Sequence, residues 1–289
     1  MSDRSIWPPA EPSVLDAGSP VAADLDREPL TARQYSHALS KPSRRPGSCG
    51  RPCRYARRCM RTAARPPFLA LDTGSSQPSV ALGGSGFRSR VRSAPPRACS
   101  ERLLGLVDEV LVEAGLTPAD LGGVIVLRGP GSFTGLRVGL ATALGLHLGL
   151  GVPVAAVGTL EVLAEAGFER SATQRCLAMV DALRDHWYVA AFGRNRPREP
   201  LSPPRRATRD ELLAEVEAQR IGCLSGFSAD RLAFAAGFAG DVVVPSALAT
   251  VALRLAERHG EWDPALVTRP LYLMSPAATP AGEPAGAGR

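Results

Sequence analysis
The sequence predicts an α/β fold in which one arrangement of strands occurs twice, and three stretches carry that prediction. Residues 68–72 form an apolar strand that ends in Asp72-Thr73-Gly74 and leads into a hairpin, residues 78–84 and 87–91, around the turn at Gly83-Gly84. Val124-Ile125-Val126-Leu127 is a second apolar strand, and it passes through a glycine-punctuated turn into an apolar helix over residues 136–150. The opening pattern then returns as strands at 177–180 and 187–192, separated by a charged turn at 181–186.

Residues 1–65 read as a disordered basic extension, rich in Pro, Ser and Arg. They hold 12 of the 34 Lys+Arg residues and 6 of the 28 Asp+Glu, whereas residues 66–289 hold 22 of each, so the formal net charge of +6 lies wholly in the extension. Lys41 is the single lysine against 33 arginines, which with abundant Ala, Gly and Pro reads as a GC-rich coding bias. A pI near 9.3 is therefore poor evidence for a basic binding face. Within the extension Met60 is an alternative start, and the Arg-rich stretch is basic enough to touch RNA as a flexible tail.

After the first hairpin, Cys99-Ser100-Glu101 opens a helix in which Leu103, Val107, Val110, Leu111 and Ala114 share a stripe and Asp108, Glu109 and Glu113 lie off it; Gly115 ends it. A short turn, Thr117-Pro118-Ala119-Asp120, precedes the second apolar strand. The helix over 136–150 carries one small-residue strip at Gly135, Gly139 and Thr142 and another at Ala141, Gly145 and Gly149. Each helical glycine costs about 1 kcal/mol relative to Ala. The strips make sense only where a backbone must approach closely, inside the fold or across an interface. A strand over 152–157 follows, and Thr159 caps a helix through Leu160, Leu163 and Ala164. Polar residues 167–174 mark an internal boundary. Beyond it, 194–209 reads as a charged loop, 210–218 as a short amphipathic helix, and 221–225 and 242–244 as strands, with 234–238 ambiguous. A helix over 247–258 carries Leu248, Val251, Ala252 and Leu255. The expected organisation is a first domain over 66–169, a second over 170–275 whose last helix packs back on the first, and a disordered tail over 276–289.

The turn over residues 127–138 organises the chemistry. Gly129, Gly131 and Gly135 permit backbone angles closed to other residues, Pro130 fixes direction, and Ser132 and Thr134 suit a helix cap. Arg137 sits in the first helical turn, where the dipole disfavours a cation and another reason is needed. Asp72-Thr73-Gly74 is compatible with a phosphate or magnesium loop and equally with a structural turn. A second Asp-Thr-Gly or Asp-Ser-Gly is absent, which speaks against a paired-carboxylate protease. No Gly-Lys-Ser/Thr follows the glycine loop, its spacing is not the dinucleotide fingerprint, and Ser132 lacks a nucleophile-elbow context. His37, His147, His186 and His259 have no metal-like spacing, and neither do Cys49, Cys53, Cys59, Cys99, Cys176 and Cys223. The reading is therefore one without catalytic or metal-ligating residues, with reduced thiols and a cytoplasmic location. The longest apolar region, residues 136–157, is interrupted by Arg137, Thr142, His147, glycines and Pro153 before it reaches the roughly 18 residues of a membrane span.

Taken together, several motifs resemble the TsaB (YeaZ) family of the actin-like ATPase superfamily. They are Ala70-Leu71-Asp72-Thr73, the helix after Cys99-Ser100-Glu101, and above all Arg128-Gly129-Pro130-Gly131-Ser132-Phe133-Thr134-Gly135-Leu136-Arg137. Val157-Gly158-Thr159-Leu160, the Asp181-Ala182 turn leading to Trp187-Tyr188, and Pro270-Leu271-Tyr272-Leu273 add to them. The resemblance covers residues 67–274. It implies two actin-like (RNase H-like) domains with mixed β-sheets flanked by helices. It further implies a non-catalytic dimerisation subunit of the machinery that forms N6-threonylcarbamoyladenosine at position 37 of tRNAs reading ANN codons. Implied partners are a TsaD-like catalytic subunit, a TsaE-like ATPase that joins through the complex, a second copy of the chain in isolation, and tRNA indirectly; no membrane is implied. ATP and threonylcarbamoyl-adenylate, the latter supplied by TsaC or a related enzyme, would be used by the partners, with no cofactor bound by this chain. A standalone nucleotide-binding enzyme of the same superfamily is the alternative.

The resemblance also implies pairing through the first two helices. Leu103, Val107, Leu111, Leu136, Gly139, Leu140, Ala141 and Leu144 are then the candidate interface, with some of them expected to face their own sheet. Gly139→Leu and Ala141→Arg are expected to break pairing without unfolding the chain. Asp72, Thr73, Arg128, Gly129, Gly131, Ser132, Thr134, Gly135 and Arg137 form the family loop. Catalytic relatives carry a metal-binding His-x3-His pair in the first helix, and this chain has no histidine there; its last motif reads Tyr272-Leu273-Met274 where the family usually has Tyr-Leu-Arg.

Overall fold
The structure, a computed structural model, describes residues 66–273 apart from 85, 96–98, 183, 228, 230–236 and 260–261. The readings for 1–65, for 276–289, for Cys49, Cys53 and Cys59 and for most of 234–238 lie outside the described residues.

The first sheet is built from β1 (Phe68–Asp72), β2 (Ser79–Gly84), β3 (Phe87–Ser93), β4 (Gly123–Leu127) and β5 (Val154–Val157), in the order β3-β2-β1-β4-β5. At its centre β1 runs antiparallel to β2, with Leu71 opposite Val80, and parallel to β4, with Ala70 opposite Ile125. Helix α1 (Cys99–Ala114) joins β3 to β4, α2 (Phe133–Leu150) joins β4 to β5, and α3 (Thr159–Arg170) follows β5.

The second sheet repeats this order. It uses β6 (Arg175–Asp181), β7 (His186–Gly193), β8 (Arg196–Pro200), β9 (Arg205–Thr208), β10 (Cys223–Ser225) and β11 (Asp241–Val243), arranged β11-β10-β6-β7 with β8 and β9 sharing the far edge of β7. Here β6 takes the central place, antiparallel to β7 and parallel to β10. Helix α4 (Arg209–Ala218) joins β9 to β10, and α5 (Leu248–His259) follows β11. The expected repetition is thus borne out at the level of strand order.

Several boundaries move. The stretch read as a charged loop, 194–209, supplies the edge strands β8 and β9, with Phe192 opposite Pro200 and Trp187 opposite Ala207. An edge strand tolerates Arg and a terminal Pro because one side faces solvent, so its sequence lacks the apolar alternation of a central strand. Helix α2 begins three residues before the expected start, at Phe133, with Ser132 as its N-cap and the Gly135 N–H donating to Ser132 Oγ at 3.3 Å. Helix α3 runs past Gly167 to Arg170, since Gly167 faces inward: a Cβ there would stand 2.6 Å from Cys176 Sγ. Thr208 caps α4 through a reciprocal pair of bonds with Glu211.

The two terminal helices are exchanged between the halves. Helix α3, which follows the first sheet in sequence, packs on β6, β7, β8, β10 and β11, whereas α5 packs on β1, β2 and β4, and the two helices touch each other. One core results: Ala70, Ile125 and Leu127 of the first sheet share it with Leu160, Leu163, Leu248, Ala252 and Leu255 of the helices and with Ala178, Ala190 and Phe192 of the second. Cross-links reinforce the layer. Ser225 Oγ donates to Leu163 O at 2.6 Å, and the Ala249 N–H donates to Ser79 Oγ at 3.3 Å. Arg254 meets Glu169 through two bonds of 2.7 and 2.6 Å, and Arg258 meets Glu165. On the outer face of the first sheet lie α1 and α2. Among the described residues α2 alone is long and apolar enough to cross a membrane, and its inner side is covered by β4 and β1.

Candidate functional site
The carboxyl end of β1 lies under the amino end of α2. Asp72 is fully buried; the Ser75 N–H donates to its Oδ1 at 3.1 Å and Ser75 Oγ to its Oδ2 at 2.5 Å. Burial pushes the Asp72 carboxyl up to about 6, against the lowering pull of its bonds from Ser75 and Gly74. The glycines of the turn let the two segments touch. The Ser132 N–H donates to Gly74 O at 2.8 Å, and a Cβ on Gly131 would stand 2.5 Å from that same oxygen. One helical turn apart, Gly135 abuts Thr73 O and Gly139 abuts Thr73 Oγ1. Thr73 Oγ1 and Thr159 Oγ1 are buried and have no hydrogen-bond partner among the described residues. The loop is accordingly a tight strand-to-helix corner.

Arg128 and Gly129 tie this corner to the end of the chain. The Arg128 N–H donates to Val157 O at 2.9 Å, the Thr159 N–H to Gly129 O at 2.8 Å, and the Leu271 N–H to Arg128 O at 2.7 Å. Gly129 has φ +108°, and a Cβ on it would stand 2.8 Å from Leu271 O, so both conformation and space demand glycine. The strap at Pro270-Leu271-Tyr272-Leu273 thereby brings Tyr272 over the start of α2. Arg137 lies with its guanidinium carbon 3.8 Å from the Phe133 ring centre and donates through Nε to Tyr272 Oη at 3.3 Å; the two rings are 5.0 Å apart. The aromatic faces supply the reason for a cation in the first turn that the sequence left open. Phe133 and Tyr272 are the members sequence reasoning missed. A contact between residues 135 positions apart leaves no periodic trace.

The interface candidates divide. Leu103, Val107, Leu111, Leu136 and Leu140 are buried inside the chain, and Gly139 lies against Thr73. This corrects the expectation for Gly139→Leu, whose side chain would collide with the chain's own β1 end. Ala141 is exposed and Leu144 half-buried. Helical periodicity finds an apolar stripe, but the most continuous stripe goes to the sheet. What remains outside is a different set: Leu104, Val112 and Leu148 are 51, 60 and 73% exposed, and Cβ atoms on Gly105, Gly145 and Gly149 would meet nothing within 4 Å. These side chains give α1 and α2 a shallow apolar outer surface. Thr134 and Arg137 are also exposed.

No cluster of three or more His, Cys, Asp or Glu side chains suited to a metal occurs among the described residues. His147 Nδ1 is paired with Val152 O at 2.7 Å and His186 Nδ1 with Arg184 O at 2.6 Å.

The family model described as TsaD, tRNA N6-adenosine threonylcarbamoyltransferase, matches residues 94–198. The tRNA threonylcarbamoyladenosine biosynthesis protein TsaB of Escherichia coli K12 is 35% identical over 128 residues, which are 44% of this chain and 55% of that protein. The chain thus spans just over half the length of the curated TsaB relative. A tRNA N6-adenosine threonylcarbamoyltransferase of Maricaulis maris is 49% identical over 75 residues, but these are 26% of this chain and only 20% of the transferase. Among solved structures, YeaZ from Pseudomonas aeruginosa superposes with a TM-score of 0.58 at 24% identity, covering 72% of this chain and 99% of that one, and so shares the fold.

Proposed function
We propose, from the premise that the chain belongs to the TsaB/YeaZ family, that it is the non-catalytic dimerisation subunit of the complex forming N6-threonylcarbamoyladenosine at position 37 of tRNAs that read ANN codons. Its partner in this reading is a TsaD-like catalytic subunit, with a TsaE-like ATPase joining the pair and a homodimer forming in isolation. ATP and threonylcarbamoyl-adenylate are handled by the partners. The observation that carries the reading is the outer surface of α1 and α2. Leu104, Val112 and Leu148 stand exposed beside Gly105, Gly145 and Gly149, whose open backbone lets a second helix approach closely. Such a surface is poorly suited to water and well suited to helix packing.

The test is co-purification of the chain with a TsaD-like subunit, together with light scattering of the chain alone. Ala141→Arg and Leu148→Arg place charges on the outer surface without touching the core; both are expected to abolish co-purification and to leave a folded monomer. Unchanged masses and retained pairing would overturn the reading. In parallel, calorimetric titration of the isolated chain with ATP and magnesium is expected to be flat, and a saturating heat would favour a nucleotide-binding enzyme instead.

A further inference from the structure
We propose that the cluster of Phe133, Arg137 and Tyr272 is a contact for single-stranded RNA made by this chain itself; the proposal rests on the reading that the chain works in a tRNA-modifying complex. The outer side of α2 has two unlike ends. Its second half exposes Ala141, Gly145 and Leu148, while its first half presents the Phe133 ring and the Arg137 guanidinium, with Tyr272 laid against them from the strap. The Phe133 and Tyr272 rings are 40 and 37% exposed and tilted 36° to one another at 5.0 Å. The Arg137 guanidinium sits over the Phe133 ring with its Nε donating to Tyr272 Oη, which leaves the rest of its fork for an outside acceptor. Arg269, three residues before Tyr272 in the sequence, is exposed as well.

The cation at the centre of the patch is not offset by a neighbouring acid. On β3 and α1, Arg90, Arg92 and Arg102 are each paired with Glu109 or Glu113. By contrast, among the described residues no carboxylate lies within ion-pair distance of Arg137 or Arg269. Exposed rings around an arginine with no carboxylate partner suit a polyanion whose bases stack and whose phosphates take the charge. The rings are also set in advance, because the Leu271 N–H bond to Arg128 O fixes the strap that carries Tyr272.

The experiment titrates the full chain into a fluorescent anticodon stem-loop RNA of an ANN-reading tRNA and reads anisotropy at two salt concentrations. Residues 1–65 are common to every variant, so differences report the patch. Phe133→Ala and Tyr272→Ala are expected to weaken binding at least about fivefold each, Tyr272→Phe to bind like the unaltered chain, and Arg137→Gln to lower the salt slope by about one. Thermal melts establish that each variant is folded, and co-purification with the TsaD-like subunit is measured on the same proteins. Unaltered RNA affinity in Phe133→Ala and Tyr272→Ala would overturn the proposal. So would lost pairing with RNA affinity intact, which would assign the patch to the protein partner. Because RNA binding is read on the chain alone, its loss and a failure of pairing are separable results.

Discussion

The two sheets follow one strand order, yet the corners beyond their fourth strands are unlike. After β4 the chain turns through Gly129, Gly131 and Gly135 into an 18-residue helix that lies directly on the end of β1. Beyond β10 the matching position is Gly226, pressed against Met179 O, and the outer side of the second sheet is covered by the ten-residue α4, with Leu212 packed among Leu177, Met179 and Val189. The two central strands also end differently, in buried Asp72 on β1 and in exposed Asp181 on β6. A repeated topology therefore fixes where a corner falls but not how closely the chain approaches itself there. That distance is set by a few glycines.

Three tests, made with five substitutions, probe this contrast. The largest effect is expected from the two sides of α2. Gly139→Leu forces a side chain into Thr73 and should cost about 3 kcal/mol or more, whereas Gly145→Leu, on the open side, should stabilise the isolated chain by about 0.5–1 kcal/mol through helix propensity. Urea unfolding of both variants compares them directly, and equal costs would show the approach at Thr73 to be loose.

A smaller effect is expected at the strand ends. Asp72 has a folded value of about 6 against 3.8 for the unconstrained group, so between pH 4 and 6 the folded chain holds more protons than the unfolded one. Stability then falls as the pH rises through this window, and the full penalty is present above it. Asp72→Asn should accordingly gain about 1–3 kcal/mol at pH 7.5 and almost nothing at pH 4. Asp181→Asn, at the exposed counterpart, should shift stability by less than about 0.5 kcal/mol. Parallel pH series of denaturation midpoints read both, and a flat Asp72 series would mean that its burial carries no penalty.

The smallest effect is expected between the halves. Arg254→Ala removes a two-point pair with Glu169 that is partly open to solvent, and should cost less than about 1 kcal/mol, a difference that shrinks in 1 M salt. A larger, salt-independent loss would show that the arginine stem contributes by packing.

Much of this was legible in the sequence. Short apolar strands, the glycine turn and the stripe of α1 each carry a local signature, and the repeat of the opening hairpin announced the second sheet. What the sequence hid is non-local. Helix α3 is buried on nearly every side, from Leu160 to Phe168, which says that it lies between two layers but not that the second layer is the other half's sheet. For α1 and α2 periodicity identifies an apolar side, and the chain's own sheet rather than a partner takes Leu103, Val107 and Leu136. The exposed Leu104, Val112 and Leu148 look unremarkable until the inner side is known to be occupied. Arg137 has one local partner in Phe133, a helical turn before it, but its other partner, Tyr272, arrives only near the end of the described chain.

The exchange of α3 and α5 has a consequence for how the chain is born. Synthesis delivers all five strands of the first sheet by Val157, yet the helix that covers their inner side, α5, begins only at Leu248. Throughout that interval Ala70, Ala81 and Ile125 lack the cover that α5 gives them in the finished fold. The contacts that seal the first sheet span nearly the whole described chain, which makes closure a late and slow event. Termination before α5 would leave the first sheet without the helix that covers its inner side.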